Sequence, residues 1–536
     1  MNNNINNSSG KKDFTNTEIT SNKLMKIKEE RSLSLRKTNF IEKQFESMRF
    51  KPRSSTFNSK LEIDINKLSI KQFETKAIRF IKLKTLERLL GSNNTSDEFL
   101  YGIYLSREFF KQEEIDTEDL LESNVHLMLI EIIKSSKNLT VIYETLWALS
   151  GYAKNTENKY NLMRPLYFDD SLFLIYISLI KSENIDIQIM TLELIGNVAG
   201  CFNYAREKIL KSEIYTIIKE YYINCRTQII SSNFNPNINE KDSLIMEIYR
   251  KCIIFYHNCV RVKFELNHTL MFEIIDIFGD ALKLNYKDKI ILDYSILGLF
   301  HITYYDPLSY LHKIAELNIV SILRNINFLD SDQNLQYNIV VIIGNILVGD
   351  IETFDLMFKD GVFEYLMNII RLGNKTRQTK HVIWCFSNIV AKYKKYKLYF
   401  VENEGLKTVS ELLNNHECDL DTQSKIIKLI ERATMYLDYE IVICLLEKGI
   451  LELIKLALKI SDKAETEVII LSIGRLFEQC QDKNEKSMFL ITLEKQGGIL
   501  FLENYELNED ENIASLSKSV RDIYDKINNE IDMELN

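Results

Sequence analysis

The chain has 536 residues, more than one hydrophobic core usually supports, so it is either several domains or one elongated array. Hydrophobic residues make up 46% and charged residues 27%, no apolar run is long enough to span a bilayer, and only 4 Pro and 17 Gly leave little turn chemistry for an all-β fold. The net charge of −9 hides a polarity: residues 1–53 hold 12 Lys/Arg against 6 Asp/Glu, which leaves −15 on the remainder, and such an acidic body argues against direct nucleic-acid binding.

The first segment, 1–60, opens polar and Asn-rich with no apolar stretch that could act as a secretion signal, so a cytosolic or nuclear address is expected. It lacks the apolar periodicity needed to pack and reads as a mostly disordered basic arm, with helical tendency around Lys23–Phe50. The array is expected over 61–527, with 528–536 as a tail.

Within the array a short signature recurs as Leu146-Trp-Ala-Leu-Ser-Gly151, Leu194-Ile-Gly-Asn-Val-Ala-Gly200, Phe255-Tyr-His-Asn258, Ile296-Leu-Gly-Leu299, Ile342-Ile-Gly-Asn-Ile346 and Cys385-Phe-Ser-Asn-Ile389, with a worn copy at Leu429–Ala433. Taken at positions 151, 197, 258, 299, 345, 388 and 432, the steps are 41 to 46 residues with one of 61. That is the period of armadillo or HEAT units. The long step contains the turn-rich stretch 231–239, read as a loop insertion into one repeat. Each signature is followed by an apolar pair, a polar turn often carrying Gly (Gly361, Gly405, Gly449), and apolar residues at helical spacing. A Gly in the left-handed cap lets one short helix end and the next begin. No such unit buries its apolar face alone, so stacking is required, and the expected fold is all-α: a right-handed superhelical solenoid of about ten armadillo repeats with an inner groove.

Nothing points to an enzyme. There is no phosphate-binding Gly loop, no Gly-x-Ser-x-Gly and no His-Glu-x-x-His. The 8 Cys are scattered without zinc-ligand spacing and read as reduced thiols, and His416 with Cys418 is a lone surface pair. No cofactor or metal is expected.

Several motifs occur in the order of one armadillo family. Arg31-Ser-Leu-Ser-Leu-Arg-Lys37 followed by Glu42-Lys-Gln44, then Gly91–Ser96 with Leu105-Ser-Arg-Glu-Phe-Phe110, Glu144–Leu149, Gly196–Gly200, Gly344–Asp350, Trp384–Ile389 and finally Leu502-Glu-Asn504 together resemble importin-α across about residues 30–527. The resemblance implies an import adaptor that shuttles between cytoplasm and nucleus. Leu35, Arg36, Lys37, Lys43, Arg49, Lys51 and Arg53 would dock on importin-β. A groove contact set of Trp147, Asn197, Asn258, Asn345, Trp384 and Asn388 would hold a basic cargo peptide, and a recycling exportin would meet the C-terminal repeats. Asn offers donor and acceptor to a peptide backbone, and Trp attracts a lysine by its face. The chain also departs from the family. The second-repeat Asn is Gly151, most Trp positions read Glu193, Ile254, Ser295 and Lys428, and the acidic pocket positions read Cys201, His381 and Lys425. Lys425 with Lys428 would repel a basic peptide. An armadillo scaffold with a groove that prefers neutral or acidic segments is the competing expectation.

Overall fold

The structure, a computed structural model, describes residues 76–535 except for short stretches between helices, among them 92–96, 112–119, 327–330, 373–377 and 478–482. The chain divides into Met1–Gln72 and Phe73–Asn536, and all that follows concerns the second. The arm residues Leu35, Arg36, Lys37, Lys43, Arg49, Lys51 and Arg53 lie outside the described residues.

No strand occurs among the described residues, which form a stack of ten helical repeats. Repeat one is α1 (Lys76–Leu90) and α2 (Asp97–Phe110); repeat two is α3 (Val125–Ser135) and α4 (Leu139–Asn155). Repeat three is α5 (Tyr160–Phe168), α6 (Asp170–Ile180) and α7 (Ile185–Cys201); repeat four is α8 (Asn203–Leu210), α9 (Glu213–Ile229) and α10 (Glu240–Val260). Repeat five is α11 (His268–Asn285) and α12 (Lys289–Tyr305); repeat six is α13 (Leu311–Ala315), α14 (Ile319–Leu323) and α15 (Gln333–Ile346). Repeat seven is α16 (Ile351–Lys359), α17 (Val362–Arg371) and α18 (Thr379–Lys392); repeat eight is α19 (Lys394–Glu402), α20 (Gly405–Asn414) and α21 (Leu420–Ala433). Repeat nine is α22 (Tyr439–Glu447), α23 (Ile450–Leu458) and α24 (Lys463–Phe477); repeat ten is α25 (Lys483–Lys495), a short α26 (Glu503–Glu506) and α27 (Glu511–Leu535).

The last helix of each repeat packs on the last helix of the next, so α2, α4, α7, α10, α12, α15, α18, α21, α24 and α27 form one continuous row. Eight of these ten helices start with the same device. Asn138, Asn184, Asn239, Asp288, Asp332, Asp419, Asp462 and Asp510 each accept a hydrogen bond from a backbone N–H two or three residues on, at 2.8 to 3.1 Å. An Asx cap of this kind is worth about 1 kcal/mol and fixes where each helix begins, hence which of its residues reach the shared face. Each helix then buries a dense apolar set. In α17, Val362, Phe363, Leu366, Met367 and Ile370 are all sealed, at about 1.5–3 kcal/mol each relative to exposure.

Three expectations change. The 61-residue step is not only a longer loop: α9 and α10 run 17 and 21 residues, so the added chain extends both helices, whose extra turns bury Tyr222, Ile245 and Tyr249. The glycine corners hold at Gly361 (φ +81°) and Gly449 (φ +92°), but Gly405 is already helical and Glu404 takes the left-handed turn at φ +66°. A carbon on Gly405 would come within 2.5 Å of Phe400, so this glycine serves close packing. The segment set apart as a tail at 528–536 is instead, through Leu535, the end of α27, whose apolar face Ile513, Val520 and Ile527 seals the stack.

Candidate interaction face of the third helices

The asparagines of the signature stand in one register and tie neighbouring repeats together. Asn258 on α10 donates from Nδ2 to the Gly196 carbonyl on α7 at 2.9 Å, and Asn388 on α18 donates to the Gly344 carbonyl on α15 at 2.8 Å. Asn197 on α7 donates to the Ser150 carbonyl at 3.2 Å and to Ser150 Oγ at 3.0 Å. In all three the acceptor is the residue just before the preceding signature position. Asn345 departs, donating to Thr303 Oγ1 at 3.3 Å. Asn258 and Asn388 are buried, whereas Asn197 and Asn345 are half-exposed. These amides therefore already spend a donor on a neighbouring repeat, and a helical carbonyl can accept it through its second lone pair.

Gly151, where the register calls for Asn, has a steric reason. A carbon there would sit 2.9 Å from the Phe110 carbonyl oxygen. The rung is supplied one turn later, where Asn155 donates to that same Phe110 carbonyl and, at 3.0 Å, to the Gly151 carbonyl.

The two tryptophans meet different surroundings. Trp147 is 7% exposed, with Tyr143 edge-on at 5.8 Å and the Arg107 guanidinium carbon 4.3 Å from its ring centre. Arg107 donates to Glu144 at 2.7 Å; burial pushes the Glu144 carboxyl above its usual range, against the pull of Arg107. Trp384 is half-exposed, and among the described residues no aromatic ring or cation lies against it. Its ring rests on Gly344, where an added carbon would fall 2.0 Å from Cζ3.

Several other positions on this face carry charges paired within the chain. Lys251 is 3% exposed and reaches Glu193 Oε2 at 2.7 Å, while Ser150 Oγ donates to Glu193 Oε1 at 3.0 Å. Burial pushes Glu193 up, and Lys251 more than offsets it, so the carboxyl sits below its usual range. Cys201 is a buried thiol beside the Asn197 carbonyl at 3.0 Å. In repeats seven and eight His381 meets Tyr337 edge-on at 4.8 Å, Lys380 pairs with Asp421 at 2.9 Å, and Arg432 donates to Asn388 Oδ1 at 2.7 Å. Lys425 lies 3.9 Å from the same Asp421, and half-buried Lys428 lies one turn along α21.

Sequence reasoning thus found the asparagine register and the tryptophans but missed Arg107, Lys251 and Arg432. Each follows from its place in the repeat: Lys251 and Arg432 stand on the signature helices themselves, and Arg107 stands on the last helix of repeat one. No group of His, Cys, Asp or Glu able to hold a metal occurs among the described residues, and no described helix is long and apolar enough to cross a membrane.

No protein-family model matches the chain. Among solved structures it is similar to the crystal structure of an engineered protein, with 13% identity over 83% of this chain and 98% of that one and a TM-score of 0.58. It also aligns with computationally designed armadillo repeat proteins for modular peptide recognition (17% identity, 46% of this chain and 98% of that one, TM-score 0.37) and a second engineered protein (15%, 48% and 94%, TM-score 0.35). The first overlap agrees with the repeat geometry above: the described residues form an all-α solenoid of stacked helical repeats.

Proposed function

We propose that this solenoid is a protein-binding adaptor of the importin-α kind: the row of last helices holds an extended segment of a partner protein, and the arm bearing Leu35–Arg53 docks on importin-β. The observation that carries the reading is the register of Asn197, Asn258 and Asn388 on stacked helices, with Trp384 one helical turn before Asn388 and so on the same side of α18. The rungs set the last helices in one register, half-exposed Asn197 and Asn345 keep hydrogen-bonding capacity for a partner's backbone, and the partly open Trp384 indole accepts the stem of a long side chain. A recycling exportin at the C-terminal repeats and shuttling between cytoplasm and nucleus belong to the same proposal.

The test is a pull-down with importin-β. The full chain is captured and a chain lacking residues 1–53 is not; equal capture of both removes the adaptor reading. A second reading has its own support. Lys380, Lys392, Lys425, Lys428 and Arg432 outnumber Asp421 and Glu431 on α18 and α21, the helix that carries Trp384 and the next in the row, which suits an acidic segment and an assembly scaffold. Titrating labelled lysine-rich and glutamate-rich peptides separates the two: tighter binding of the lysine-rich peptide, weakened by Trp384→Ala, supports the adaptor, and the reverse preference supports the scaffold.

A further inference from the structure

The face of Trp147 is already filled from within the chain. Arg107, one repeat earlier, places its guanidinium carbon 4.3 Å from the Trp147 ring centre and 4.4 Å from that of Tyr104. Its Nη1 donates to Glu144 Oε2 at 2.7 Å, while Nη2 and Nε approach Glu108 Oε1 at 3.0 and 3.1 Å. Arg107 is 9% exposed and Trp147 7%. Two aromatic faces and two carboxylates form a complete receptor for a cation, and an arginine suits it because its planar guanidinium stacks and hydrogen-bonds at once.

We propose that Arg107 is an internal ligand that closes the second-repeat subsite of the interaction face to a lysine or arginine of a partner. The proposal rests on the reading that this face holds a partner's segment. An incoming cation must displace a tethered guanidinium whose loss leaves the half-buried Glu144 carboxylate unpaired and Glu108 with only Lys111 at 3.6 Å, so the closed form is favoured while Arg107 is present. The geometry assigns Arg107 a gating role: the receptor around Trp147 is intact, and what it lacks is access. Repeat seven carries no such occupant, since no cation lies over Trp384 among the described residues.

The experiment uses the full chain with Trp384→Phe, in which Trp147 is the sole tryptophan and its emission reports this subsite alone. With Arg107 present, acrylamide quenches Trp147 weakly, and an octalysine peptide leaves its emission unchanged. Arg107→Ala is expected to raise the quenching constant several-fold. The peptide then perturbs the emission, and anisotropy of a dye-labelled octalysine, which needs no tryptophan, gives an affinity about tenfold higher than for the parent. Adding methylguanidinium should lower the quenching again by refilling the receptor, and Arg107→Lys should stay mostly closed. If Arg107→Ala leaves quenching unchanged, or if the affinity gain persists after Trp147→Phe is added, the proposal is overturned. Circular dichroism of Arg107→Met, which keeps the side-chain volume without the charge, tells an opened subsite from a collapsed repeat: a folded Arg107→Met chain with parent-like quenching also overturns it. The quenching and methylguanidinium arms need no partner protein, so loss of importin-β capture would sink the adaptor reading while leaving these results standing.

Discussion

Repeats two and seven carry the same residue at the same place in the unit and use it differently. Trp147 is sealed beneath Arg107 and edged by Tyr143, whereas Trp384 rests on the bare backbone of Gly344 and stays half-exposed. The contrast shows that a signature position in a repeat protein fixes where a side chain points but leaves its task to the neighbour on the preceding unit. Repeat one supplies an arginine and closes the ring; repeat six supplies a glycine and leaves it accessible.

Acid should break the N-terminal half first. His126 in repeat two is buried and stacked on Tyr152 at 5.0 Å, and burial pushes it down to about 4. In repeats four and five His257 and His301 lie 5.5 Å apart; burial pushes His301 down to about 3 and His257 well below its usual range, with Arg261 nearby acting in the same direction. For a histidine whose folded pKa is depressed, the unfolded chain binds more protons at acid pH, so stability present above about 6.5 is lost as pH falls toward the folded value. Over that window His126 alone accounts for roughly 3 kcal/mol. Hydrogen exchange at pH 7 and pH 4.5 should show repeats two to five losing protection well before repeat seven, and uniform loss would remove the distinction.

Truncating the tryptophans tests the same contrast directly. Trp147→Ala should cost about 3–5 kcal/mol, since it empties a packed site beneath Arg107, while Trp384→Ala should cost under about 2 kcal/mol. Because repeat arrays unfold in segments, local exchange rates are the proper readout. The asparagine rungs come next. Asn388→Ala removes the donor to the Gly344 carbonyl and one acceptor of the Arg432 guanidinium, about 2 kcal/mol, whereas half-exposed Asn197→Ala should cost about 1 kcal/mol. Smallest in stability but sharpest in meaning is Gly344→Ala. The new carbon pushes the Trp384 ring from its seat, and peptide affinity should fall about tenfold, some 1.4 kcal/mol, with little change in melting. Unchanged affinity would place the partner elsewhere on the solenoid.

Much of this fold was legible because period and chemistry repeat together. The 41- to 46-residue steps set the number of units, and the signature asparagines share a register that the hydrogen bonds repeat. What stayed hidden depends on contacts between units far apart in sequence. Asn258 reads equally well as a groove amide or as a rung until the Gly196 carbonyl, 62 residues away, is seen beneath it. Arg107 reads as part of the repeat opening, and only stacking brings it onto a ring 40 positions later. The lengthened α9 and α10 were obscured by the turn residues between them, which marked the insertion but not the helices that absorbed it.

The rungs also set how the molecule behaves under load. Every amide tie runs from one unit to the unit before it, so a strain applied at one end is handed on link by link and fades as successive links flex. The stack then acts as a leaf spring rather than a lever. Two segments of one partner seated at its opposite ends would gain affinity by being tethered to each other, with little help from any signal carried through the helices between them.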